Sequence, residues 1–133
     1  MAYWLVKSPF RSRTWARVVA TGAFQLYGIR NAQARNAIAQ MQPGDEALFY
    51  FQQLIWGTMK VSSEPVSDPT ITEGRWLSIS FIPLQTREPP IGLTILRTNP
   101  IFEQSALLRQ PRLSVFALTA DQWQEISTIG IGN

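Results

Sequence analysis

Apolar positions along the chain fall into short, well-separated blocks. Tyr3 to Lys7 is a run of β formers closed by Ser8-Pro9, which predicts a strand. Ala47-Leu48-Phe49-Tyr50-Phe51 is a continuous apolar run too short for a helix, and predicts a strand buried on both faces. Ile55 to Val61 is its expected hairpin partner, across a tight connection near Gln52-Gln53. From Trp76 to Ile82 the pattern alternates, with Leu77, Ile79 and Phe81 against Ser78 and Ser80, as in a half-buried strand. Arg112 to Phe116 predicts another strand. Between these blocks, Ser62 to Gly74 is a polar loop containing Asp68-Pro69-Thr70, and Pro89-Pro90 opens a second loop.

Other stretches carry a helical period. Thr14 to Ala20 predicts a short helix stopped by Thr21-Gly22. Asn31 is placed to cap a longer helix that runs to about Met41 and ends at Pro43-Gly44. Asn31, Ala34, Arg35, Ile38 and Met41 share one stripe of that helix, opposite Gln33, Asn36 and Gln40. Arg35 thus sits among apolar side chains, where a guanidinium requires a carboxylate, backbone carbonyls or a ligand. Ile91 to Arg97 and Phe102 to Leu108 read as two short helical segments. Thr119-Ala120-Asp121-Gln122 is a capping box opening a last helix through about Ser127, with Leu118 and Trp123 spaced for a hydrophobic staple. Five or six strands interleaved with short helices predict an α+β fold, a small curved sheet or barrel with helices packed outside it. No linker or repeat divides residues 1–133, so one domain is expected.

Composition narrows the chemistry. With 45% hydrophobic residues, five Trp and seven Phe, 133 residues can bury a real core. The chain has no Cys and no His. Disulfides, thiolate zinc sites, cysteine nucleophiles, Ser-His-Asp chemistry and His-containing metal sites are excluded; a carboxylate-only or Lys-based enzyme stays open, with little support from nine acids at wide spacing. No catalytic constellation, cofactor or metal is expected. No apolar run is long enough to span a membrane. The short apolar start followed by Lys7 and arginines is unlike a secretory signal, so the expected location is cytoplasmic. Charge is unevenly spread. Residues 1–44 hold Lys7, Arg11, Arg13, Arg17, Arg30 and Arg35 and no acid, whereas the rest hold the other six bases and all nine acids. Such a split points to an anionic partner, most simply nucleic acid.

The order of landmarks resembles the EVE domain: Tyr3-Trp4-Leu5-Val6-Lys7-Ser8, then Gly28-Ile29-Arg30-Asn31 with Ala34-Arg35-Asn36, then Gly44-Asp45, Leu48-Phe49-Tyr50, Asp68-Pro69-Thr70, Arg112-Leu113-Ser114-Val115 and Trp123. The resemblance covers nearly the whole chain. It implies a PUA-like curved β-barrel, related to YTH and ASCH domains, with a pocket for a nucleobase, often modified, presented by RNA or DNA. An extruded base needs an aromatic wall, polar groups for its edge and a basic rim for phosphates. The residues expected to bind the ligand are Lys7, Ser8, Leu26, Tyr27, Asn31, Arg35, Tyr50 and Phe51, and Arg11, Arg13, Arg17 and Arg30 are expected along the nucleic-acid backbone. The chain departs from the family pattern in four places. Pro9 follows Lys-Ser where an acid is usual, Leu26 replaces a Trp, Phe51-Gln52 replaces His-Ser, and the loop before Trp56-Gly57 is short. Either Phe24, Tyr27, Phe51 or Trp56 rebuilds the aromatic wall, or the scaffold serves a small molecule or a protein partner instead.

Overall fold

The computed structural model describes residues 1–72 and 74–129. Its strands are β1 (Tyr3–Lys7), β2 (Phe24–Leu26), β3 (Glu46–Phe51), β4 (Leu54–Val61), β5 (Val66–Ser67), β6 (Leu77–Gly92) and β7 (Val115–Leu118). Its α-helices are α1 (Trp15–Thr21), α2 (Ala32–Gln40), α3 (Leu93–Arg97), α4 (Ala106–Arg109) and α5 (Ala120–Thr128), with a 3-10 turn at Pro100–Phe102. Hydrogen bonding orders the strands β2-β6-β4-β3-β1-β7, and two-residue β5 pairs with β6. β1 and β3 run parallel and the other pairs antiparallel.

The blocks of apolar residues explain this order. β1 and β3 lie in the middle of the sheet, so Trp4, Leu5 and Val6 and the whole of Ala47–Phe51 are buried. β4 alternates, burying Ile55, Gly57, Met59 and Val61. The aromatic core centres on Phe49, which meets Phe24 edge-on at 5.4 Å and Trp15 at 5.2 Å. α2 lies against β6 and β7 with Ala34 and Ile38 buried. The capping box at Thr119 and Gln122 is formed, and Trp123 stacks on Tyr3 at 4.6 Å.

Three expectations need correction. β2 falls in a stretch read as having no element; its three residues gain strand geometry from pairing with Ile79–Phe81 rather than from local pattern. Pro89-Pro90 lies within β6, not in a loop. The β4–β6 ladder passes from Ile55↔Ile91 to Gly57↔Thr86, so Arg87–Pro90 bulge out where prolines cannot donate. The strand predicted at Arg112 to Phe116 begins later, at Val115, and runs to Leu118.

Gly44-Asp45 closes the sheet's other end. Buried Asp45 accepts hydrogen bonds from the Trp4 indole at 3.1 Å, the Gln42 amide at 3.1 Å and the Ala2 amide at 3.2 Å. Burial alone would push its carboxyl up, but these donors outweigh that and hold it below its ordinary value.

Candidate functional site

Parallel pairing of β1 with β3 brings their carboxyl ends together, with Lys7 opposite Tyr50. The chain then continues in register, and the Ser8 amide donates to the Tyr50 carbonyl at 3.0 Å. A hollow of about 500 Å³ opens there, lined by Lys7, Ser8, Tyr50, Phe51, Gln52 and Gln53 on the strand side. Leu93, Arg97, Leu107, Leu108 and Pro111 form its far wall.

The Lys7 ammonium donates to the Pro111 carbonyl at 2.8 Å and lies 5.5 Å from the centre of the Tyr50 ring. It therefore straps β1 to the segment before β7. Burial lowers its pKa. Burial also pushes the Tyr50 phenol up, against the opposing pull of the Arg97 charge. The Ser8 hydroxyl is turned toward its own loop, 3.3 Å from the Arg13 carbonyl and 3.4 Å from the Phe10 amide.

Gln52 and Gln53 line the hollow from the turn they form. Only two residues join β3 to β4, a connection that a type I′ turn makes with positive φ at both. Gln52 has φ 54° and Gln53 φ 64°, a geometry that Asn-Gly adopts more cheaply. The turn is anchored by the Leu93 amide donating to the Gln53 carbonyl at 3.0 Å. Leu93 and Arg97, one helical turn apart on α3, then face the same space.

Of the eight residues expected to bind the ligand, Lys7, Ser8, Tyr50 and Phe51 share this hollow. The other four lie elsewhere. Leu26, the last residue of β2, is completely buried and does not line this hollow. Tyr27 packs its ring 4.6 Å from Phe10 and accepts from the Arg13 guanidinium at 3.1 Å. Asn31 caps α2, accepting from the Ala34 amide at 2.9 Å, and lines a neighbouring depression that shares Pro111 with the hollow. Arg35 escapes its apolar stripe by reaching the Asn36 side chain at 2.7 Å, not a carboxylate. Gln52, Gln53 and Arg97 also line the hollow and were not among the residues expected to bind a ligand. The two-residue connection and the Leu93–Arg97 spacing were the available signals.

Nor do the four arginines expected along a backbone act alike. Arg13 is committed to the fold: it donates to the Gln25 carbonyl at 2.9 Å and lies over the rings of Phe10 and Tyr27. Arg30 pairs with Asp68 at 3.1 Å, the one ion pair among the described residues. Arg11 and Arg17 are exposed. Asp68 is the hub of the Gly28–Asn31 loop. It accepts from the Gly28 amide at 2.8 Å, from the amide and hydroxyl of Thr70, and from Arg30. Gly28 has φ 80°, which lets its N–H aim inward at the carboxylate. Burial would raise the Asp68 carboxyl, but these four donors outweigh it and set its pKa at about 2. Asp68-Pro69-Thr70 and Gly28-Ile29-Arg30 are thus two halves of one clamp.

Among the described residues no helix is long and apolar enough to cross a membrane, and no three His, Cys, Asp or Glu side chains gather to hold a metal.

A family model for the EVE domain matches residues 2–129. The chain belongs to the EVE domain family. No curated protein matches its sequence. Among solved structures, a protein of Rhodopseudomonas palustris shares 30% identity at TM-score 0.90, over 98% of this chain and 93% of that one. Human THYN1, in complex with DNA containing 5-methylcytosine, shares 24% identity at TM-score 0.84, over 95% of both chains. The YTH domain of the Zygosaccharomyces rouxii MRB1 protein, in complex with N6-methyladenosine RNA, shares 12% identity at TM-score 0.61, over 96% of this chain and 84% of that one. The curled mixed sheet with helices around it is the PUA-like fold, as the EVE resemblance implied.

Proposed function

We propose that this EVE domain, one domain over residues 1–133, is a non-catalytic nucleic-acid-binding module that takes a base into the hollow at the ends of β1 and β3. The observation that carries the reading is the hollow's composition: the Lys7 and Arg97 cations and the Gln52 and Gln53 amides surround a space of about 500 Å³ beside Tyr50. Amides supply both donors and acceptors for a base edge, and cations supply the rim. Two proteins of the same fold, THYN1 and the MRB1 YTH domain, are in complex with DNA or RNA carrying a methylated base. Phe51 and Tyr50 are almost wholly buried, at 9% and 6% exposure, and Leu26 stands where the family has Trp. Base recognition here rests on the edge-reading amides more than on an aromatic cage.

Replacing Gln52 and Gln53 by glycine separates fold from function. Glycine adopts the positive φ of this turn without strain, which offsets its extra chain entropy, so stability should change by less than about 1 kcal/mol. Affinity for single-stranded oligonucleotides, read by fluorescence anisotropy, should fall and discrimination between methylated and unmethylated bases should narrow. Unchanged affinity and base preference in the double variant would remove these amides from recognition. A thermal-shift comparison completes the test: stabilisation by oligonucleotides supports the reading, and stabilisation by free nucleosides alone favours a small-molecule site.

A further inference from the structure

The base hollow does not end at α3. Arg97 and Leu108 line it on one side and on their other side line a second hollow, together with Asn99, Glu103 and Arg109. Two concave sites that share a wall residue are neighbours, so a chain leaving the first enters the second at Arg97. Arg97 is exposed and has no ion-pair partner among the described residues. Arg109 spends only its Nε, donating to the Glu103 carbonyl at 3.0 Å, which leaves its terminal nitrogens for a ligand. Neither arginine belongs to the acid-free first third of the chain. Arg13 and Arg30 from that region already hold the Tyr27 and Asp68 clusters together.

We propose that the hollow walled by Arg97, Asn99 and Arg109 is a second nucleotide subsite, in which Arg97 holds the phosphate that links it to the base in the first hollow. The inference rests on the base-docking reading above. Charge arranges the occupant. A phosphate is held at the shared wall by Arg97 and kept away from Glu103, an acid that lines the second hollow and not the first. Glu103 instead accepts from an exocyclic amino group, as a carboxylate does from cytosine N4. The ligand is therefore a single strand, because a base-paired neighbour could not enter a hollow of its own.

The test is anisotropy of short labelled single-stranded RNA and DNA across a salt series, with the intact chain and with Arg97→Gln, Arg109→Gln and the double variant Arg11→Gln/Arg17→Gln. Circular dichroism confirms that each variant is folded. Each phosphate contact on a single strand contributes about 0.7 to the slope of log affinity against log salt. Arg97→Gln is expected to weaken binding to every sequence and to reduce the slope by about 0.7, with Arg109→Gln acting in the same direction. Arg11 and Arg17 were expected along a backbone from sequence but line neither hollow, so their double variant should keep the original slope. The RNA and DNA arms show which sugar the path accepts. If the intact chain binds but Arg97→Gln and Arg109→Gln leave affinity and slope unchanged, the second subsite is overturned and base docking stands. If the intact chain binds neither RNA nor DNA, base docking itself fails and the subsite falls with it.

Discussion

Asp68→Ala is expected to lose about 2 to 3 kcal/mol of folding stability at pH 7, although Asp68 touches no part of the base hollow. The carboxylate is buried and accepts from Gly28, Thr70 and Arg30, so its removal unties the Gly28–Asn31 loop from the segment before β6. Arg30 is partly exposed and can return to water, which keeps the cost below that of a fully buried ion pair. The carboxyl's own titration gives the same scale: the gap between the ordinary 3.8 and about 2 corresponds to about 2 kcal/mol. The folded pKa lies below the unfolded one. The stabilisation is therefore complete above about pH 4 and drains away as pH falls toward 2. Urea denaturation at several pH values checks both points. The stability difference between the intact chain and Asp68→Ala should be full at neutral pH and shrink across that acid window. A difference that is absent at pH 7, or that stays constant down to pH 2, would show that the clamp does not hold the loop.

Gly57→Ala should be at least as damaging, at about 3 kcal/mol or more, for a steric reason. A Cβ at Gly57 would lie 2.2 Å from the Trp15 ring and 2.4 Å from the Gln85 carbonyl oxygen. The first is a side chain pinned by its indole N–H, which donates to Thr86 Oγ1 at 2.9 Å, and the second is backbone in the β4–β6 ladder. Neither yields cheaply, so α1 must lift off the sheet or the ladder must part. Thermal denaturation and near-ultraviolet circular dichroism, to which Trp15 contributes with four other tryptophans, read the outcome. A variant that melts with the intact chain, its tryptophan signal unaltered, would contradict this packing.

The contrast between these two sites shows what was legible in the sequence. β1, β3 and β4 could be read directly, because each is an apolar block with clear ends, and α2 and α5 could be read from their caps. β2 could not, since three residues carry no period and their conformation comes from the β6 edge they pair with. Pro89-Pro90 misled because proline usually ends a strand, whereas here a bulge carries it outside the ladder. At the site, Lys7, Ser8 and Tyr50 were expected together from the EVE resemblance, and the parallel pairing of β1 with β3 is what brings them to one hollow. Arg30 and Asp68 could be read as important but not for what: two motifs forty residues apart form an internal clamp, and only the fold shows that they meet. The place of Arg97 in the wall of the hollow was hidden because it depends on how α3 packs beside a turn, a relation that no local pattern encodes.

Base docking as proposed places a nucleobase in the hollow at the carboxyl ends of β1 and β3. Amide chemical-shift mapping of the labelled protein, titrated with a short single-stranded oligonucleotide, tests it most directly. Saturable shifts are expected at Lys7, Ser8, Gln52, Gln53 and Arg97, with Arg11 and Arg17, which do not line the hollow, little changed. Shifts confined to the Arg11–Arg17 segment, with the residues of the hollow unmoved, would contradict it.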